Sequence, residues 1–161
     1  MNTLHRLCRG NARDCLLLAS VVLLSGCASI VGSLTGGLAS NLSTAILESD
    51  DPAMIRDGAP SFLILIDSLL AGSPDNAALL AQSAELHSAY AGAFVAEPQR
   101  AAQLHSKAKS QILRSTCLSL KDACDLENRD FDAFSAWVQA QDEKSVAALY
   151  NLGSIWAGWI Q

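Results

Sequence analysis

The sequence predicts an all-α protein in which antiparallel helix pairs stack as an α-solenoid-like bundle. Apolar residues recur at three- and four-residue spacing along most of the chain after residue 27, which is the periodicity of amphipathic helices. Prolines and short acidic or hydroxyl side chains divide this pattern into helix-length pieces. Alternating apolar and polar runs of strand length are rare. These three observations favour a fold built from helices.

Residues 1–26 have the features of a secretory signal peptide. Arg6, Arg9 and Arg13 precede an apolar run of about ten residues that starts at Cys15. A membrane-spanning helix needs roughly 20 apolar residues, so a cleaved signal is favoured over a retained transmembrane anchor. Leu24-Ser25-Gly26-Cys27 then resembles the lipobox of bacterial lipoproteins. This resemblance implies cleavage before Cys27 and lipidation of its thiol.

The predicted mature protein, residues 27–161, is expected at the periplasmic face of the cell envelope. Membrane lipid would hold it through the acylated Cys27, because stable anchoring takes more than one acyl chain and lipoproteins carry several. Ala28 follows Cys27, and by resemblance to Gram-negative lipoprotein sorting this favours the outer membrane. The signal removes three of the 11 basic residues and one of the 16 acidic ones, which leaves an acidic domain. An acidic domain argues against nucleic acid as a partner.

The first elements of the mature protein are predicted from their apolar patterns. Ile30 to Leu47 reads as an apolar helix, rich in small residues, that needs a partner surface. A short polar piece, Met54 to Gly58, follows it. The next helix is predicted to run from Pro60 to Gly72, because Pro favours a first helical turn. Since this helix is apolar nearly all round, we expect it to be central and buried.

The later helices are predicted from their caps. Ser73 is expected to cap a helix that runs to about Val95, and Glu97-Pro98 begins another that reaches Leu118. Residues 117–130 read as a polar loop. Asp130 is predicted to cap a helix to Ala140, and Asp142 to cap the last helix. Along that last helix the apolar pattern places, at helical spacing, Val146, Leu149, Tyr150, Gly153, Trp156 and Ile160. Gly153 and Ala157 are spaced to let another helix approach closely.

Cys117 and Cys124 are the two cysteines that remain after signal removal and lipidation of Cys27. An even pair in an oxidising compartment predicts a disulfide bond, and two buried free thiols are the alternative. The bridge would close a loop of eight residues and stabilise the fold by about 2.5 kcal/mol.

The chain lacks the sequence signatures of common enzymes. It contains no G-x-S-x-G, no H-E-x-x-H and no phosphate-binding loop, so we expect no catalytic residues, no cofactor and no metal site. His87 and His105 are expected to be surface or capping histidines, and the acidic residues near Asp125 to be solvated. Five aromatic residues could line an apolar ligand cavity or could simply be core; they are Tyr90, Phe94, Trp137, Trp156 and Trp159.

Two family resemblances follow from longer stretches. Leu79 to Val95 with Pro98 to Cys117 resembles one helix pair of a tetratricopeptide repeat, whose period is about 34 residues. A more specific resemblance is to the T-component lipoproteins of TRAP transporters, and it is carried by Asp57 to Leu70, Ser73 to Leu80, Ala89 to Val95 and Leu149 to Ile160. Members of that family are usually longer, so we expect a short or C-terminally truncated member.

The resemblance implies a periplasmic lipoprotein that assists a TRAP-type solute uptake system. It implies a periplasmic solute-binding protein as partner, an apolar pocket for an organic acid or hydrophobic ligand, and a possible homotrimer. The alternative is a helical-repeat lipoprotein that acts as a structural adaptor in envelope assembly and binds no small molecule.

Overall fold

Five α-helices account for most of the residues that this computed structural model describes, which are residue 41 and residues 44–46 and 48–161. They are α1 (Pro52–Gly72), α2 (Ala77–Phe94), α3 (Pro98–Ser119), α4 (Phe131–Gln139) and α5 (Val146–Ile160). Single turns of 3-10 helix cover Leu126–Asn128 and Glu143–Ser145. The described part of the chain contains no strand, so the all-α prediction is confirmed. The signal peptide, Cys27 and most of the Ile30 to Leu47 segment lie outside the described residues.

Helix α1 begins eight residues earlier than the sequence pattern predicted. The Asp51 carboxylate accepts a hydrogen bond from the Met54 backbone N–H at 3.0 Å, and Pro52 occupies the first turn. The helix then continues through Pro60. Pro60 has no N–H to donate to the carbonyl of Arg56, four residues earlier. Because Arg56 is exposed, water can donate to this carbonyl in its place. The predicted polar piece and the predicted helix are therefore one helix of 21 residues.

The junction between α1 and α2 also differs from the prediction. Ser73 closes α1, where its backbone N–H donates to the carbonyls of Leu69 and Leu70 at 3.1 Å. Asn76 caps α2, since its side-chain oxygen accepts from the Leu79 N–H at 3.1 Å. Ser73 was the wrong cap because two hydrogen-bonding residues lie within one turn and Asn76 stands next to the helical run.

Helix α2 is the central element, and the prediction that α1 is central and buried was wrong. Helix α2 packs against α1, α3 and α5. Helix α1 buries a single stripe, Ala59, Leu63, Ile66 and Leu70. Phe62, Ile64 and Leu65 on the same helix are exposed. The apolar residues around α1 therefore form a partly exposed surface, which the hydrophobic pattern alone does not distinguish from a core.

Helices α2 and α3 form an antiparallel pair, as the repeat resemblance implies for one pair. The Ser115 hydroxyl near the end of α3 donates to the carbonyl of Ala77 at the start of α2, at 2.7 Å. Ser88, later in α2, lies 3.4 Å from Nδ1 of His105, earlier in α3. Residue numbers rise along one helix as they fall along the other, so the two helices run in opposite directions. A repeated tetratricopeptide architecture stays a prediction.

A disulfide bond joins Cys117 to Cys124, so the predicted bridge is confirmed. The cysteines fasten the last turn of α3 to the loop that follows, with 4.3 Å between their Cα atoms. The Asp130 carboxylate caps α4 by accepting from the Ala133 N–H at 2.8 Å, as predicted. Asp142 caps the 3-10 turn that leads into α5, where it accepts from the Ser145 N–H at 3.2 Å.

The apolar residues that recur along α5 do not form a single buried face. Leu152 and Ile155 are the buried residues of this helix. Val146, Tyr150, Gly153 and Ile160 face outward, whereas Leu149 and Trp156 are half-buried against the core. The helix is apolar on more than one face, so its sequence pattern fits two rotations about the helix axis.

Candidate functional site

An apolar cavity of about 210 Å³ lies between α1, α2 and the segment that precedes α1. Its walls come from three stretches of the chain, and most of its lining side chains are aliphatic or aromatic. The lining residues are Ile46, Ser49, Pro52, Ile55, Ala59, Leu63, Leu86, Ala89, Tyr90, Ala93 and Phe94. The volume exceeds the apolar cavity of about 150 Å³ that holds benzene in an engineered protein. It is therefore large enough for a small apolar ligand.

The spacing of small and large residues on the two helices creates this space. On α1, Ile55, Ala59 and Leu63 are four apart and share one face. On α2, Leu86 and Tyr90 share the opposing face. The alanines among the lining residues leave the gap, because longer side chains at those positions would fill it. The signal was present in the sequence as small residues at helical spacing, but periodicity does not tell which helices face each other.

Tyr90 and Phe94 form the aromatic wall of the cavity. Their ring centroids lie 5.8 Å apart at an interplanar angle of 44°. The guanidinium carbon of Arg100 lies 5.9 Å from the centroid of the Tyr90 ring, within reach of a cation–π contact. This places a positive charge at the aromatic end of an apolar cavity.

A second guanidinium, that of Arg56 on α1, is paired with the carboxylate of Asp57. Its pKa is raised above the ordinary value, first by the hydrogen bond to Asp57 (Nε to Oδ1, 2.8 Å) and to a small extent by Tyr90. Arg56 and Arg100 are both exposed. Arg100 makes no ion pair within the part of the chain that the structure describes. An apolar cavity with the exposed Arg100 guanidinium beside its aromatic wall suits a ligand with an apolar body and an anionic end.

The other predicted ligand-lining residues lie elsewhere. Trp137 is buried in the core around α4, and its indole N–H donates to the Lys121 carbonyl at 3.0 Å. Trp159 packs on α3, with the Lys109 ammonium 3.5 Å from its ring centroid. Trp156 lines a second groove, together with Phe134 and Ile160. Of the five predicted residues, Tyr90 and Phe94 line the cavity between α1 and α2, whereas Trp137 and Trp156 both pack against Phe134 in a separate core cluster.

His87 is almost fully buried, at 2% exposure, so the expectation of a surface or capping histidine was wrong for this residue. Its Nδ1 lies 2.8 Å from the Ser83 carbonyl, which makes Nδ1 the donor, and its Nε2 lies 3.7 Å from Oδ2 of Asp67. Lys107 also pairs with that carboxylate. Burial is the main reason that the pKa of His87 is lowered. The cluster links α1, α2 and α3, and it lies outside the lining of the cavity.

The cavity offers little that could drive a reaction. Ser49 and Tyr90 are its hydroxyl-bearing lining residues, and no histidine, cysteine or carboxylate is among the other lining residues. Across the described residues, no three or more histidine, cysteine or acidic side chains cluster closely enough to hold a metal ion. No helix in the described part is long and apolar enough to cross a membrane. The arrangement can enclose a small molecule and orient its charged end.

The fold and cavity define a class of small all-helical proteins with an apolar cavity between two helices. The sequence model of the family described as TRAP transporter T-component matches residues 48–161, and the chain belongs to this family. The match includes both helices of the cavity and all of α3 to α5. Neither a curated protein nor a solved structure matches the chain.

Proposed function

We propose that this protein is a lipid-anchored periplasmic accessory component of a TRAP-type uptake system, where it binds a small apolar organic acid and works beside the system's solute-binding protein. The observation that carries this proposal is the apolar cavity between α1 and α2, with the Arg100 guanidinium beside its aromatic wall, in a chain of the T-component family. Binding, without catalysis, is the proposed role of the cavity.

The proposed ligand class follows from the chemistry of the walls. An aliphatic or aromatic body gains from leaving water when it enters a cavity lined by Ile55, Leu63 and Phe94. A carboxylate beside the Tyr90 ring stays hydrated while it is attracted by Arg100. A ligand charged at both ends would lose hydration at its inner end without a partner there. The cavity therefore favours monocarboxylates over compact dicarboxylates.

The proposed anchor rests on the sequence around Cys27. Acyl chains on this residue would confine the helical domain to the membrane surface. Confinement raises the effective concentration of the domain near membrane-bound transporter subunits. Such a site can hold a ligand close to the transporter even when its affinity is modest.

Affinity purification from envelope extracts tests the partnership. The full chain carries a C-terminal tag and is expressed in a bacterium that encodes a TRAP system. We expect a periplasmic solute-binding protein to co-purify with it, and the Cys27→Ser variant to leave the membrane fraction. Recovery of envelope-assembly proteins in place of a solute-binding protein would favour the adaptor alternative. A Cys27→Ser variant that stays in the membrane fraction would contradict the anchor.

A further inference from the structure

A polar pocket lies between α2 and α5, apart from the apolar cavity. Its volume is about 260 Å³, which exceeds the cavity of about 150 Å³ that holds benzene in an engineered protein. Five of its seven lining residues carry a polar side-chain group, and they are Glu85, Ser88, Tyr150, Asn151 and Ser154. The polar pocket is therefore large enough for a small molecule and suits one that forms hydrogen bonds.

The polar pocket exists because polar faces of two helices meet. Helices α2 and α5 pack against each other. Glu85 and Ser88 are three residues apart on α2, and Asn151 and Ser154 are three residues apart on α5. Residues at this spacing share one face of a helix, so two polar side chains from each helix line the same space. No lysine or arginine is among the residues that line the pocket.

Glu85 supplies the charge of the polar pocket. It is half-buried, and it makes no ion pair within the part of the chain that the structure describes. Burial raises the pKa of its carboxyl, because the charged form loses hydration. A carboxyl group with a raised pKa in a cleft is a feature of functional sites. A cation bound beside Glu85 would provide the counter-ion that the protein does not.

The neighbouring polar groups offer hydrogen-bond acceptors. The Ser154 hydroxyl donates to the backbone carbonyl of Tyr150 at 2.8 Å, which leaves the hydroxyl oxygen free to accept. The side chain of Asn151 brings an amide oxygen to the pocket. An alkylammonium group has three N–H donors and no acceptor, so one carboxylate and two further acceptor oxygens match it. An anionic ligand would instead meet the negative charge of Glu85 and no cation.

We propose that the polar pocket binds the ammonium group of a small amine. Glu85 is the counter-ion, and the side-chain oxygens of Asn151 and Ser154 accept the remaining N–H bonds. Charge-assisted hydrogen bonds are about twice as strong as neutral ones, so Glu85 provides most of the preference for a cation. The site is separate from the apolar cavity, whose proposed ligand is an acid, because Ala89 is the one lining residue that the two share.

Titration of the ¹⁵N-labelled full chain in detergent with ethanolamine tests the proposal, with backbone amide chemical shifts as the readout. We expect saturable shifts at Glu85, Ser88, Asn151 and Ser154. Ethylene glycol, in which a hydroxyl replaces the ammonium group, should give no saturable shifts at these residues. Glycolate, in which a carboxylate replaces it, should give none either.

Three variants assign the binding to this pocket. Glu85→Gln should weaken ethanolamine binding at least tenfold, because the amide has the shape of the carboxylate without its charge. Glu97→Gln, which removes the same charge at an exposed position outside the pocket, should bind as the wild type does. Ala93→Trp, in the wall of the apolar cavity, should also bind ethanolamine normally.

No saturable shifts with ethanolamine, equal shifts with ethylene glycol, or unchanged binding by Glu85→Gln would overturn the proposal. Loss of ethanolamine binding in Ala93→Trp would place the amine in the apolar cavity and would overturn it as well. Neither result bears on whether the apolar cavity binds an acid, so the two sites are tested independently.

Discussion

The carboxylate of Asp67 on α1 lies 3.7 Å from Nε2 of the buried His87 on α2, and it also pairs with Lys107 on α3. One acidic side chain thus connects three helices around a histidine that is held neutral by burial. The Nδ1–H of His87 is already bonded to the Ser83 carbonyl. Protonation of His87 would therefore place a second proton on Nε2 in a poorly hydrated site.

This arrangement predicts that the protein loses stability in mild acid. The pKa of His87 is lowered by burial, whereas in the unfolded chain it returns to about 6.5. Below pH 6.5 the unfolded state binds more protons, so the free energy of unfolding falls as the pH decreases from 6.5 towards the lowered pKa. Urea unfolding at pH 7.5 and 5.5 measures the difference. His105, whose pKa is also lowered by burial, contributes in the same direction.

The His87→Asn variant isolates the contribution of His87. Its amide nitrogen can replace Nδ1 as the donor to Ser83, and it does not titrate in this range. We expect this variant to be less stable at pH 7.5 and to show a weaker dependence on pH than the wild type. A pH dependence identical to that of the wild type would contradict the role assigned to His87.

The disulfide predicts a measurable loss of stability on reduction. Serine at both Cys117 and Cys124 should lower the free energy of unfolding by about 2.5 kcal/mol, because the eight-residue loop is no longer closed in the unfolded chain. Chemical denaturation with and without a reductant measures this change. The double serine variant is its own control, since reductant should then have no effect. An equal loss in both proteins would point to a cause other than this bridge.

Substitutions in the α1–α2 junction test which residue caps α2. Asn76→Ala should cost about 1 kcal/mol, because the Leu79 N–H loses its side-chain acceptor. Ser73→Ala should have an effect near zero, since Ser73 acts through its backbone N–H. Thermal or urea unfolding of the two variants gives the comparison. A larger loss of stability in Ser73→Ala than in Asn76→Ala would mean that Ser73 caps α2, as the sequence pattern predicts.

Two isoleucines on α1 test which side of this helix is buried. Ile66 retains 3% of its surface and Ile64 retains 71%. Ile66→Ala should lower the free energy of unfolding by about 2–5 kcal/mol, as buried truncations do. Ile64→Ala should change it by less than about 0.5 kcal/mol. Similar losses for both variants would mean that α1 is buried all round.

Local signals in the sequence predicted much of the fold. Asp130 stands directly before an apolar periodic run, and this local arrangement was sufficient to place the start of α4. Pro60 and Ser73 gave wrong helix starts because a stronger start signal lies near each of them. Asp51 with Pro52 begins α1, and Asn76 begins α2. Rules for helix starts do not tell which of two such signals is used when the two lie within a few turns of each other.

The site was harder to predict because it depends on which helix faces meet. Tyr90 and Phe94 are four residues apart on one helix, and their shared face follows from helical geometry alone. The opposing wall from Ile55 to Leu63 depends on how α1 packs on α2. Which apolar residues of α5 face outward was difficult to predict for the same reason. An apolar helix offers several faces, and tertiary packing decides which one is buried.

Isothermal titration calorimetry with octanoate tests the central claim, that the α1–α2 cavity binds a small apolar organic acid. We expect saturable binding at one site per chain in the wild type. Ala93→Trp, which places an indole at the cavity wall, should abolish it. Ala78→Trp, at an exposed position outside the cavity on the same helix, should bind as the wild type does. No saturable heat in the wild type, or equal binding by Ala93→Trp, would contradict the claim.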